Sequence, residues 1–228
     1  GYIDKESLPT LGTVSRNENG YPIGYFFGYK AIGVFQTQEE IDSYISPATG
    51  KPIQPNAAPG DTKFEDLNGD GVISDDNEDR TMIGKPNPDW MVGLTVAADW
   101  NGFDLSAFFQ GSFGADVFDA LRRYELAAVN YTSDALERWT GPGTSNSMPR
   151  IVLGDTPKNF RPSTLLVHDA SFLRLRNLQV GYTLPAQLTR KAYIQRLRFY
   201  ASFDNLLTIT GYKGMDPEIG STMGIDKG

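Results

Sequence analysis

Cysteine is absent from all 228 residues, which excludes a disulfide framework and any thiolate-ligated metal. Histidine occurs once, at His168, and the chain contains no GxSxG, P-loop or HExxH pattern. A lone loop histidine and a run of unpaired carboxylates give acid–base chemistry nothing to work with, so the sequence does not read as an enzyme. Basic residues are outnumbered, 21 Lys and Arg against 28 Asp and Glu, for a net charge of −7. That balance argues against nucleic acid, whose phosphates require a basic patch. No run approaches eighteen apolar residues, so no transmembrane helix is encoded, although barrel strands alternate and leave hydropathy low. No secretory leader opens the chain at Gly1.

Aromatics make up 12% of the chain, with 24 Gly and 14 Pro, a composition suited to all-β structure with many turns. The clearest signal spans residues 90–113. Trp90, Val92, Leu94, Val96, Ala98 and Trp100 alternate with Met91, Gly93, Thr95, Ala97 and Asp99. After Asn101-Gly102, Phe103, Leu105, Ala107, Phe109 and Phe113 alternate with Asp104, Ser106, Gln110 and Ser112, with Phe108 as the exception. Period two predicts strands, and Asn-Gly predicts a type I′ hairpin because both central residues need positive φ. Arms of ten or eleven residues suit a tilted bilayer-crossing strand, and Trp at both ends of one apolar face suits its two interfaces. A soluble sandwich hairpin ending in Trp satisfies the same pattern, so the hairpin alone leaves both readings open.

Earlier in the chain, residues 1–20 read as loop or strand remnant. Residues 22–36 read as one strand apolar on both faces, with Gly28 and Gly33 marking a bulge or a close backbone approach. Thr37 and Glu40 form a capping box that opens a short surface helix before Ile41. Residues 46–60 hold four prolines and two glycines and are loop. Within GDTKFEDLNGDGVISDDNED, Asp66, Asn68, Asp70 and Gly71 match positions 1, 3, 5 and 6 of the calcium loop, and Val72 offers a carbonyl at position 7. Position 12 is Asn77 in place of Glu, with Glu78 or Asp76 beside it as substitutes. Ca²⁺ is therefore the expected cation of this loop; an acidic loop rich in Asx-turns and free of any ion reads the same way.

Later, the spacing of Val117, Leu121, Tyr124 and Ala128 predicts a helix over 116–129, and a further turn is expected over 134–139. In FLRLRNLQVGYTLP, Leu173 and Leu175 lie on one parity and Leu178, Val180, Tyr182 and Leu184 on the other. A bulge or membrane boundary near Asn177 would reconcile them. LRFYASFDNLLTITGY is a further long strand with Leu197, Phe199, Ala201, Phe203, Leu207 and Ile209 on one side and Arg198, Ser202, Asp204, Thr208 and Thr210 on the other. Links between arms alternate long (36–89), two residues (101–102), long (114–171) and about a dozen (185–196). Short turns on one side and long loops on the other suit an outer-membrane barrel better than a sandwich.

Taken together, GDTKFEDLNGDGVIS…DRTMIGKPNPDWMVGL, FDLSAFFQGSFG, SFLRLRNLQVGYTLP and LRFYASFDNLLTITGYKGMDPEIG resemble the C-terminal part of the SusC/RagA-type TonB-linked outer-membrane transporters. The resemblance implies an all-β chain, residues 1–228 forming part of a large antiparallel transmembrane barrel with long extracellular loops carrying short helices. The plug domain and the last strand lie outside it. It implies import of oligosaccharides or peptides across the cell outer membrane, with a SusD-like lipoprotein lid, TonB acting through the plug region, and outer-membrane lipid around the wall. In the resembling sequences the acidic loop runs more directly into Asp-Arg-Thr, and Asp79 then joins Glu78 as a last calcium ligand. Asp104 and Gln110 become lumen contacts, with Tyr124, Tyr131 and Trp139 as lid contacts. The periplasmic end falls at Trp100 to Phe103 and the outer rim at Trp90. The alternative is a soluble calcium-stabilised carbohydrate-binding β-module, in which a second sheet covers Leu94, Val96, Leu105 and Phe109.

Overall fold

A computed structural model describes residues 14–75, 77–120, 124, 130–214, 216–218 and 225–226. In chain order the strands are β1 (Ser15–Arg16), β2 (Tyr25–Tyr29), β3 (Ala31–Val34), β4 (Thr62–Phe64), β5 (Arg80–Gly84), β6 (Trp90–Trp100), β7 (Phe103–Phe113), β8 (Asp116–Asp119), β9 (Val167–Asp169), β10 (Phe172–Thr183), β11 (Arg198–Thr210) and β12 (Ile225–Asp226). Two short helices, α1 (Gln38–Ser43) and α2 (Ala186–Thr189), and several 3₁₀ turns complete the described elements. The chain divides into two compact units, a loop unit (1–87, 116–168, 219–228) and a wall unit (88–115, 169–218).

The wall unit is one antiparallel sheet in the order β11-β10-β7-β6. Its register follows from keeping apolar rows together, because a one-residue slip would turn every side chain to the other face. Across β6 and β7, Trp90 faces Phe113, Leu94 faces Phe109, Val96 faces Ala107, Ala98 faces Leu105 and Trp100 faces Phe103. Asn101 and Gly102 turn the chain with φ of 50° and 88°, as a type I′ turn requires. The apolar row continues onto β10 through Leu175, Leu178 and Val180, and onto β11 through Phe203 and Ala201.

The parity conflict in β10 is resolved by a bulge at Arg176. Leu175 pairs with Phe109 while Asn177 pairs with Phe108, so β10 carries one residue more than β7. Leu173, Leu175, Leu178 and Val180 thereby share the outward face while Arg174, Arg176 and Asn177 turn inward. Between the same pairs β11 advances from Asp204 to Leu207, and Asn205 takes a positive φ of 52°. The outward row is uncovered, with Leu94 55% and Val96 44% exposed. The second sheet demanded by the soluble-module reading is not found over it among the described residues.

The loop unit holds three small sheets, β1-β2-β5, β3-β4 and β12-β8-β9. Here the structure corrects the single strand read over 22–36. Gly33 sits at a register shift, and β2 and β3 belong to different sheets, neither of them the wall. Gly28 is the close approach, since any Cβ there would strike the Pro162 carbonyl. The helix read over 116–129 is also corrected. Asp116–Asp119 is β8, with Val117 and Phe118 both buried; residues 121–123 and 125–129 lie outside the described residues. Phe118 joins Val14, Phe26 and Leu166 in one core cluster, and Tyr124, Ala135 and Met148 form a second. Helix α1 is capped as expected, with Thr37 Oγ1 accepting the Glu40 N–H at 3.3 Å; the Glu40 carboxylate reaches the Gln36 N–H, one residue short of a full box. A 3₁₀ turn at Ser133–Glu137 occupies the place of the second expected turn.

Candidate functional site

The inward face of the wall is where sequence, register and charge converge. Asp104 pairs in register with Gly181, and Arg198 with Thr183. Because Gly181 has no side chain, the Arg198 guanidinium crosses β10 and donates from Nε to Asp104 Oδ1 at 2.9 Å. A Cβ on Gly181 would sit 2.5 Å from both Arg198 Nη2 and Asp104 Oδ1. This also settles a repulsion, since Asp99 and Asp104 face each other directly across the hairpin. Higher on the same face, Asn177 Nδ2 donates to Asp204 at 2.8 Å and to Ser202 at 3.1 Å.

At the end of the wall remote from the Asn101-Gly102 turn, two arginines dominate. Arg174, only 5% exposed, donates from Nε to Thr208 at 2.9 Å, from Nη1 to Glu218 at 2.8 Å and from Nη2 to Asp216 at 2.6 Å. Arg176 donates to Gln110 at 2.7 Å, to Asn205 at 3.2 Å and to the second Glu218 oxygen. Burial alone would raise the Asp216 carboxyl, but the Glu218 backbone N–H and Arg174 outweigh it and hold it below the ordinary carboxylate range. Gln110 is thus joined to this cluster and Asp104 to Arg198. Arg174, Arg176, Asp216 and Glu218 were not among the residues singled out from the sequence. The signal available was the Leu-Arg-Leu-Arg alternation, which sets two cations on the inward parity.

The acidic loop is closed by its own hydrogen bonds. Asp66 accepts from the Gly69 and Gly71 N–H groups, both at 2.8 Å, and Asp70 from the Val72 N–H at 2.8 Å. Asp79 is fully buried and accepts from Leu67 N–H at 3.2 Å and Ser74 N–H at 3.1 Å. Asn68 Nδ2 bridges Asp70 at 3.0 Å and Glu78 at 2.9 Å, which brings those two carboxylates to one point. No group of three or more Asp, Glu or His side chains able to hold a metal ion occurs among the described residues. The arrangement is therefore an Asx-turn loop with a two-carboxylate focus. Asp79 serves the backbone.

Of the loop aromatics, Tyr131 is 48% exposed, whereas Tyr124 is 2% exposed and its hydroxyl shares a 2.8 Å hydrogen bond with Thr132. The Tyr124 ring is held inside its own loop, packed against Phe160 with ring centroids 5.2 Å apart. Trp139 is half-buried, its ring lying over Gly60 and its Nε1 donating to Gln36 at 3.1 Å. Beneath it, Asp61 accepts from Arg150 Nε at 2.6 Å, Asn159 Nδ2 at 3.1 Å and the Ala58 N–H at 2.8 Å. Asn159 returns an acceptor to the Thr62 N–H at 2.9 Å, so one buried carboxylate ties three loop segments together.

Long antiparallel strands, one uncovered apolar face, one hydrogen-bonded polar face and Trp at both rims define a stretch of a large β-barrel wall with its loops. The comparisons agree. The chain is 35% identical over 200 residues to TonB-dependent receptor P3 of Formosa agariphila, covering 87% of this chain and 19% of that protein. It is 29% identical over 215 residues to TonB-dependent receptor SusC of Bacteroides thetaiotaomicron, covering 93% and 19%. Among solved structures it superposes on the RagAB peptide transporter with a TM-score of 0.68 and 26% identity, covering 94% of this chain and 22% of that one. The RagAB peptide importer in its open-open state gives 0.67 and 25%, with the same coverage. No family model matches. The chain is a homologue of the SusC/RagA-type TonB-dependent receptors and spans about a fifth of the length of these relatives.

Proposed function

We propose that this chain is the C-terminal part of the barrel of a TonB-dependent receptor in the outer membrane, one that imports oligosaccharides or peptides. A SusD-like lipoprotein covers its outer face, and TonB acts through a plug domain encoded outside these residues. One observation carries the reading: over four adjacent strands the register keeps apolar residues on one face, and the other face carries hydrogen-bonded polar clusters on β7, β10 and β11. Only a closed barrel satisfies such strands in hydrocarbon, and the polar clusters then line the passage. The chain acts by binding and conducting, without catalysis, and Asp104 and Gln110 shape the lumen as members of ion-paired and hydrogen-bonded groups. Tyr131 and the outer part of the Trp139 ring are its lid contacts.

The test uses the full-length receptor. It should require detergent, migrate anomalously on gels until heated, co-purify with a lipoprotein, and take up labelled oligosaccharide or peptide only when TonB is present. Uptake undiminished without TonB would overturn the reading. For the acidic loop we propose Ca²⁺, the ion its oxygen-only donors select, held by Asp66, Asn68, Asp70, the Val72 carbonyl and Glu78. The focus of Asp70 and Glu78 on the Asn68 side chain supports this, because a cation there would take over the role of the amide. Calorimetric titration of the receptor at up to millimolar Ca²⁺ without heat would remove the ion from the account.

A further inference from the structure

The two inward arginines do more than hydrate the wall. Arg174 lies opposite Thr208 in register, two residues before β11 ends, yet its guanidinium holds Asp216 and Glu218, which follow β11 in sequence. The chain beyond Thr210 therefore turns back below the end of its own strand and lies against the inward face. Its exit is fixed: Thr210 Oγ1 donates to the Ser171 carbonyl at 2.8 Å and accepts from the Tyr212 N–H at 3.0 Å. The turn is tight as well, since the Tyr212 ring occupies the space a Gly214 side chain would need.

We propose that residues 211–214 and 216–218 form a strap, clamped by Arg174 and Arg176 across the inward face at the outer end of the wall, where it narrows the passage. The proposal rests on the barrel reading given above. Two features make the clamp selective for this conformation. Glu218 spends one oxygen on each arginine, so both arginines lose a carboxylate partner if the strap stands up into solvent. Arg174 is buried, and a buried guanidinium deprived of its carboxylates is an uncompensated charge, so the lock is all-or-none. The bulge contributes by setting Arg176 beside Asn205 and Gln110, which hold its remaining nitrogens in place. The strap is thus a positioning element of the solute path, and solutes wide enough to touch it meet Lys213 and Tyr212 first.

The experiment is cysteine accessibility in the full-length receptor carrying Pro217→Cys, a half-buried position between the two clamped carboxylates, the stretch itself having no cysteine. A bulky maleimide reagent should label Cys-substituted position 217 about tenfold faster once Asp216→Asn and Glu218→Gln are added, as three charge-assisted bonds are lost. Arg176→Gln, which removes one half of the clamp from the strand side, should fall between. Equal rates in all three proteins, each still heat-modifiable, would overturn the strap. An unmutated receptor that migrates identically with and without heating would instead overturn the barrel beneath it.

Discussion

Replacing Val96 with Arg places a charge where the register puts the middle of the lipid-facing row. From Trp90 to Trp100 the chain takes ten residue steps; at ~3.4 Å each and a tilt of ~40° the two rims stand about 26 Å apart along the normal. Val96 is four steps from Trp100, hence about 10 Å in from that rim, close to the midplane. It faces Ala107 and is 44% exposed, so nothing in the sheet can neutralise a guanidinium there. The expected cost is about 2–4 kcal/mol, the range for Arg at a barrel midplane. The control is its neighbour: Thr95→Arg, one residue away but inward beside Phe108, should cost less than about 1 kcal/mol. Denaturant-dependent folding of the full-length receptor into lipid vesicles measures both. A neutral Val96→Arg, or two substitutions equally costly, would show that the faces have been assigned wrongly.

Gly181→Ala should separate Asp104 from Arg198, because its methyl group would occupy the line between them; a loss of about 1–3 kcal/mol in the same vesicle assay is expected, against none for Gly141→Ala, whose surroundings are open and whose φ is ordinary. Asn159→Ala strands the buried Thr62 N–H and takes one of two donors from Asp61 Oδ1, which keeps Arg150, a cost of about 1–3 kcal/mol. Limited proteolysis should then nick the loop unit while the barrel stays heat-modifiable. Acid should release the strap. The Asp216 carboxyl is held low in the folded protein, so its contribution is complete above the ordinary carboxylate pKa of about 3.9 and is lost as pH falls through the lower folded value. The labelling rate at position 217, taken relative to that of a free model thiol at the same pH, should rise below about pH 4; a ratio that stays flat from pH 7 to pH 3 would contradict this.

Much of the wall was legible because period two is enforced by lipid on one side and water on the other. The hairpin register followed from Asn101-Gly102 and the apolar rows, and the conflict at Asn177 located the bulge to within a residue. The irregularity in β11 escaped for a definite reason. Between pairs where β7 advances two residues, β11 advances four, from Phe203 to Leu207, and two extra residues restore parity. An even insertion is silent to any alternation test. The loop unit was poorly legible. Tyr25, Phe26 and Tyr29 look like wall residues because aromatic density is the same in a small core, and Val117 and Phe118 are buried side by side in a way no period describes. The Arg174 clamp and the Asp61 knot join residues 42 to 98 positions apart, beyond the reach of local pattern.

The Asp61 knot has a consequence for how such a protein can diversify. Loops on a barrel are usually free to lengthen or shorten one at a time, each answerable only to its two strands. Here the segments around Ala58, Arg150 and Asn159 converge on a single carboxylate, so a deletion in one leaves a buried charge underserved by the others. Change in this layer must be concerted, and a graft that moves any one segment without the other two should fail where a transplant of all three succeeds.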